Sequence, residues 1–324
     1  MGFFKNLFGT SEPKTEADQK NDTEKMFNIF HDDGVRAKNM GELKFAEQCF
    51  TKALEIRDDA PTRSYLVEVL ILLQQYDEAV PQLQHLLDAA PDNLEVALLL
   101  ASTYGRTKNY ESEQTLTDKI REQHPSEPRA LYFAGEAAHG LGQDFQAIAF
   151  LTQALQQEEH YPAALLLRAQ ILASMGQYNE VLADAEALLA LDNENEEYLL
   201  LHADALQGTG RDTEAEEAYL KVREMNPFSM EAMEKLGAFY ALHHQLDKAL
   251  ALYDEAIELQ PENAVAYKLR GAVKLQLNDK LGAEDDLKKS LELQPESAKE
   301  LDGEYSNIEN KMEQRYRAQN PFQF

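Results

Sequence analysis

The chain has 324 residues, 44% hydrophobic and 9% aromatic, a composition that suits a folded protein with a large apolar interior. Lys and Arg number 31 and Asp and Glu 58, so the net charge is −27; that balance repels phosphate backbones and anionic lipid and excludes nucleic acid as a partner. The single cysteine, Cys49, excludes a disulfide framework and a cysteine-rich metal site, and no apolar run approaches the ~18 residues of a membrane span.

Residues 1–26 stand outside the pattern that follows. Phe3, Phe4, Leu7 and Phe8 share one face of a short helix beside Lys5, which reads as a weak membrane-surface or docking anchor, or else as a terminus docked on its own chain. The start is too short for the apolar core of a signal peptide, and Asn6 stands where a myristoylation signal needs Ser or Thr. The expected location is therefore the cytoplasm, with membrane contact only through this segment. Thr10 to Lys25 is polar and charged and reads as a flexible linker.

From about residue 27 the chain repeats. Ala46, Ala79, Glu113, Ala147, Val181, Ala215, Ala249 and Ala283 follow one another by one step of 33 and six of 34. Twelve residues before each lies Gly34, Val67, Ala101, Gly135, Ala169, Ala203, Gly237 or Gly271. Two small-residue series in phase mark points where helix axes approach closely. Large side chains around those points fill the remaining space: Phe50, Leu151, Tyr219, Tyr253 and Leu287 four residues after the first series, and Tyr104, Leu172, Leu206 and Tyr240 three residues after the second. Pro91, Pro125, Pro227, Pro261 and Pro295 close units, and Gly41, Gly142, Gly176 and Gly210 supply the left-handed residue between the two helices of a unit.

This 34-residue helix–turn–helix, with Gly-Gln-Tyr-Asn-Glu-Val at 176–181, Gln-Tyr-Asp-Glu-Ala at 75–79 and Leu-Asp-Lys-Ala at 246–249, resembles the tetratricopeptide repeat family. The resemblance implies an all-α, right-handed superhelical solenoid of about eight units over residues 27–297. Residues 298–319, with Leu301, Tyr305, Ile308 and Met312 on one face, read as a C-terminal capping helix, and 320–324 as a tail. Two units depart from the pattern: Glu113 and Thr117 replace Ala and an apolar residue in the third, and Pro81 in the second is expected to delay or kink its second helix. The RNA-reading pentatricopeptide class, one residue longer in period and basic, does not fit.

With the Gly/Ala series as position 8, positions 4, 7, 8 and 11 face the unit's own second helix and positions 2, 5, 9 and 12 face away. In the family that opposite face lines a groove for a peptide or partner helix. Position 5 is apolar in the four central units, as Leu98, Tyr132, Leu166 and Leu200, and position 9 there is Ser102, Glu136, Gln170 and Asp204. Position 6 adds Leu99, Phe133, Leu167 and Leu201. The expectation is an apolar stripe with an acidic edge that takes an amphipathic segment carrying Lys or Arg. The other reading has these leucines filling the seam to the next repeat; position 6 suits that, and position 5 is harder to bury so. No unit has Asn at position 9, so the chaperone-tail carboxylate clamp is disfavoured.

Catalytic chemistry is missing. Gly208-Thr209-Gly210 has no Lys-Ser/Thr after it and sits at a helix-to-helix turn. His243 and His244 are adjacent on a helix and diverge, so they share no metal. His202 is expected in a packed core position, Arg168 and Arg270 stretched toward acidic partners, and Cys49 in a packing role. No enzyme activity, cofactor or metal is expected. The chain reads as a protein-interaction scaffold, with a membrane-tethered adaptor or a regulatory subunit of an enzyme complex as alternatives.

Overall fold

The structure, a computed structural model, describes residues 16–295, with side chains from Asn21 onward. The expected anchor (Phe3, Phe4, Leu7, Phe8), the capping helix at 298–319 and the tail lie outside the described residues.

Sixteen α-helices and no strands make up the described residues. In chain order they are α1 Glu16–Asn39, α2 Leu43–Ile56, α3 Ala60–Leu72, α4 Tyr76–Ala89, α5 Leu94–Arg106, α6 Tyr110–Gln123, α7 Pro128–Gly140 and α8 Asp144–Gln157. Then come α9 Pro162–Ser174, α10 Tyr178–Leu191, α11 Glu196–Gly208, α12 Asp212–Met225, α13 Met230–Leu242, α14 Leu246–Leu259, α15 Ala264–Gln276 and α16 Lys280–Leu293. The chain divides into two compact units at residues 171 and 172, within α9. In the first, α1 through α8 pack as successive hairpins, and first helices also meet each other, as α5 meets α7. In the second, α10 through α16 pack in the same sequential way, and α13 meets α15. The result is an all-α repeat solenoid.

The local causes repeat with the sequence. Asp59, Asn93, Asn195, Ser229 and Asn263 each precede a first helix and accept a hydrogen bond from the amide three residues on. Each hairpin turns through one left-handed residue at the same register. Four of these are the expected glycines; the other four are Gln74, Lys108, His244 and Asn278, with φ between 56° and 63°. The amide after each turn residue reaches back to close the first helix, as Gln75 N–H does to Leu70 O at 2.9 Å. Where position 8 is glycine, a large residue of the second helix fills the space. A Cβ on Gly237 would stand 2.6 Å from the Tyr253 ring, and one on Gly135 2.8 Å from Leu151.

Two expectations need correction. Residues 16–26 are not linker but the first three turns of α1, which at 24 residues is far longer than the 13-residue first helices of the other units. Phe27, just after this extension, is buried against the Arg57 guanidinium, 3.6 Å from the ring centroid. Pro81 does not delay α4, which starts at Tyr76, the same register as every other second helix, and keeps the common 14 residues. Pro81 lies in the second turn, where it removes one backbone donor and leaves the rest of the ladder.

No helix among the described residues is long and apolar enough to cross a membrane.

Candidate functional site

Position 5 does not form a continuous exposed stripe. Leu98 is 3% exposed and Leu200 2%. Leu98 packs with Ala97, Ile120 and Ala130, so it fills the seam between the third repeat and the fourth. Leu200 lies in the core of the second unit. Neither leucine is offered to a partner: small residues such as Ala130 leave room for the leucine to sink. The reading that the seam would take these leucines holds for both. Tyr132 and Leu166 are half-buried and Leu99 is 39% exposed, so the accessible apolar surface in the first unit comes from positions 5 and 6 together.

Position 9 also divides. Ser102 is half-buried and Gln170 exposed. Asp204, in the second unit, is already engaged: it accepts from the Tyr219 hydroxyl at 2.5 Å and from Lys235 Nζ at 2.6 Å. Glu136, in the first unit, forms no ion pair among the described residues, although the charge of Arg106 reaches it, and it stands beside a second carboxyl that departs from the repeat pattern.

That second carboxyl is Glu113. It occupies the α6 position held by Ala or Val in every other repeat, and it is 0% exposed with neither oxygen hydrogen-bonded in good geometry. Both carboxyls converge on α5 at Gly105. From the point where a Cβ on Gly105 would start, Glu136 Oε2 is 3.0 Å away and Glu113 Oε1 3.2 Å. The pair thus sits where α5, α6 and α7 meet. Burial raises the Glu113 carboxyl well above the usual range, and the neighbouring Glu136 adds to the rise. Burial raises Glu136 as well, against the opposing pull of Glu113 and Arg106. Burial and the neighbouring acid thus favour the protonated form of Glu113 beside Glu136.

Aromatic rings wall this acid pair. Tyr132 lies 5.4 Å from Tyr161 and 5.3 Å from Phe133, centroid to centroid. Burial pushes the Tyr132 hydroxyl up, with Glu136 adding to it, and pushes the Tyr161 hydroxyl up to about 12. Both rings stay neutral and offer polarised hydroxyls and π faces. At one end of this face, Arg129 is clamped by Glu95 at 2.8 and 2.9 Å and by Glu127 at 2.7 Å, which fixes the start of α7. Chemically the cluster is an acceptor of positive charge. It is a poor acid–base machine, because no substrate atom can reach the enclosed Glu113.

The other singled-out residues have structural surroundings. Cys49 is buried, with its thiol pushed up by burial first and by Asp33 second. His202 is half-buried and its imidazole is pushed down by burial. The His243 ring lies 4.3 Å from that of Phe239, tilted by 40°, and His244 is the left-handed turn residue that follows α13. Arg270 reaches Asp286 and Asp254 as expected, and Arg168 donates to Thr152 at 3.0 Å. Among the described residues no group of three or more metal-ligating side chains is assembled.

Comparison with known proteins follows the same lines. Tetratricopeptide repeat family models match residues 70–136 and 200–264, and a bacterial transcriptional activator domain model matches residues 130–227. The chain is 24% identical over 311 residues to the BBSome complex member bbs-4 of Caenorhabditis elegans, covering 82% of this chain and 66% of that one. It is 26% identical over 164 residues to the CTR9 homolog of Arabidopsis thaliana, covering 49% of this chain and 15% of that protein. The chain thus spans two thirds or less of either relative. A tetratricopeptide repeat protein from Parabacteroides merdae has the same fold, with a TM-score of 0.55, 17% identity, and coverage of 86% of this chain and 97% of that one. The hairpins, their common left-handed turn and the two matched stretches show that this chain is built of tetratricopeptide repeats.

Proposed function

We propose that this protein is a protein–protein interaction scaffold that binds a peptide or partner helix along the position-5 and position-6 face of its central repeats. The carrying observation is the Tyr132–Glu136 cluster: half-buried aromatic rings beside carboxyls that form no ion pair among the described residues. The site as proposed consists of Leu99, Ser102, Tyr132, Phe133, Glu136 and Leu166, with Gln170 at its edge. The ligand that complements it is an amphipathic segment with Lys or Arg among apolar residues, because the face is apolar and acidic and the chain carries −27. Three or four apolar contacts at about 1.5–3 kcal/mol each leave micromolar affinity after ordering costs. The match to a protein described as a complex member supports an assembly role. The reading assigns no catalytic step to this chain.

The test is a pull-down from native-host lysate comparing the natural chain with Leu99→Glu/Leu166→Glu. Phe145→Glu serves as the control, since Phe145 on α8 is 78% exposed. All chains must first share one circular dichroism spectrum and melting curve. Loss of specific partners from the double variant alone supports the site. Retention of every partner overturns it.

A further inference from the structure

Glu113 needs an explanation that packing does not supply. A carboxyl enclosed among helices, facing a second carboxyl and with no hydrogen bond of good geometry among the described residues, is costly, and the alanine found at this position in six other repeats avoids that cost. It does not stand alone, because Glu136 faces the same point above Gly105. The charged and titratable groups around them are Arg106 on α5, Tyr132 on α7 and Tyr161 before α9. Arg106 is exposed and acts on Glu136 through its charge, without an ion pair to either acid among the described residues. Among the described residues, then, only the distant pull of the exposed Arg106 reaches the pair, and its seat for a closely held positive charge is open.

We infer that Glu136, backed by Glu113 and walled by Tyr132 and Tyr161, is the seat for one lysine or arginine side chain of the bound segment, and that entry of this cation expels the proton the two carboxyls share. The inference rests on the reading of this face as the binding face, and it names the residue of the ligand that the face selects. Glu136 is the contact, half-buried at the surface. Glu113 acts behind it: once a guanidinium or ammonium group replaces the proton as the positive partner, both carboxyls ionise and the proton leaves to solvent. The rings add cation–π attraction to the charge pairing. Affinity for a basic segment then rises with pH across the neutral range, because less work is needed to remove the proton.

The experiment uses the full chain with carboxyl-¹³C-labelled glutamate, the Glu113 and Glu136 signals being assigned from Glu113→Gln and Glu136→Gln. Probes are Nα-acetylarginine amide and neutral Nα-acetylnorleucine amide, each added to about 100 mM at constant ionic strength, so that screening is equal in all arms. In the free protein near neutral pH the pair is expected to show one carboxyl's worth of protonation. The arginine probe is expected to move both signals to the ionised position, the norleucine probe to leave them, and Glu136→Gln to weaken the arginine probe about tenfold. Two fully ionised carboxyls in the free protein, or no movement with the arginine probe, overturns the inference. If the signals do not move while Leu99→Glu/Leu166→Glu still abolishes partner capture, the cation seat falls and the scaffold reading stands. If either Gln variant fails to fold, assignment passes to the Asp variant at that position and the natural chain's titration decides.

Discussion

The ring of Tyr178 on α10 lies against the backbone of Gly208 at the end of α11. A Cβ on Gly208 would stand 2.2, 2.4 and 2.5 Å from ring carbons Cγ, Cδ1 and Cδ2, which puts it over the ring itself. One repeat pair earlier, Tyr110 on α6 meets Gly140 on α7 in the same way at 2.4 Å. A glycine in a helix forfeits about 1 kcal/mol against alanine, so these two are kept for closeness and not for propensity. Gly208→Ala is expected to destabilise the second unit by about 1–2 kcal/mol despite better helix propensity, as a lower urea midpoint. Tyr178→Ala in the same chain should remove most of that penalty.

The four left-handed turns that lack glycine make the opposite prediction. Gln74, Lys108 and His244 hold φ near +57°, which costs a residue with a Cβ about 1 kcal/mol. Gln74→Gly, Lys108→Gly and His244→Gly should each stabilise by about 0.5–1 kcal/mol, read by thermal or urea unfolding. Gly142→Ala should cost a similar amount, although nothing stands within 4 Å of the added methyl.

Glu113 gives stability a pH dependence of unusual sign. Its folded-state carboxyl is raised above the unfolded value, so the folded state binds more protons than the unfolded one. Its contribution is intact below about pH 4.3, the unfolded value, and is lost as pH rises toward the raised folded value. Glu113→Ala should therefore gain on the natural chain by about 1–3 kcal/mol between acidic and mildly alkaline pH, visible as diverging urea midpoints. Parallel pH profiles would contradict the shared proton.

Asp286 behaves in the usual direction. It is buried on α16, takes two hydrogen bonds from Arg270 at 2.6 and 2.9 Å, and pairs with Lys274 at 2.8 Å. Burial raises its carboxyl, but the hydrogen bonds from Arg270 and Lys274 outweigh that and hold it below the usual range. Its contribution is present above about pH 3.9 and is lost as pH falls through the depressed folded value. Asp286→Ala should destabilise by about 2–4 kcal/mol at neutral pH, because it takes the buried partner from Lys274 and leaves Arg270 only the exposed Asp254. Amide hydrogen exchange should show the loss concentrated in α15 and α16.

Sequence alone was enough for the period, the two close-approach positions, the hairpin turns and the family. These follow from backbone geometry that every repeat must satisfy, so the same small residue or turn residue recurs at the same register. Even the four turns without glycine sit where the period puts them, and only their residue types hid them. Helical periodicity also assigned each side chain an angle around its helix. It could not assign a depth. Leu98 and Leu166 share position 5 and the same angle, yet Leu98 is buried and Leu166 half-exposed, because depth depends on the size of the neighbours that the adjoining helices bring. Glu113 is the sharper case. In the sequence it was an acid among 58, at odds with its repeat; only the meeting of α5, α6 and α7 enclosed it beside Glu136, and enclosure beside a second acid is what raises its carboxyl.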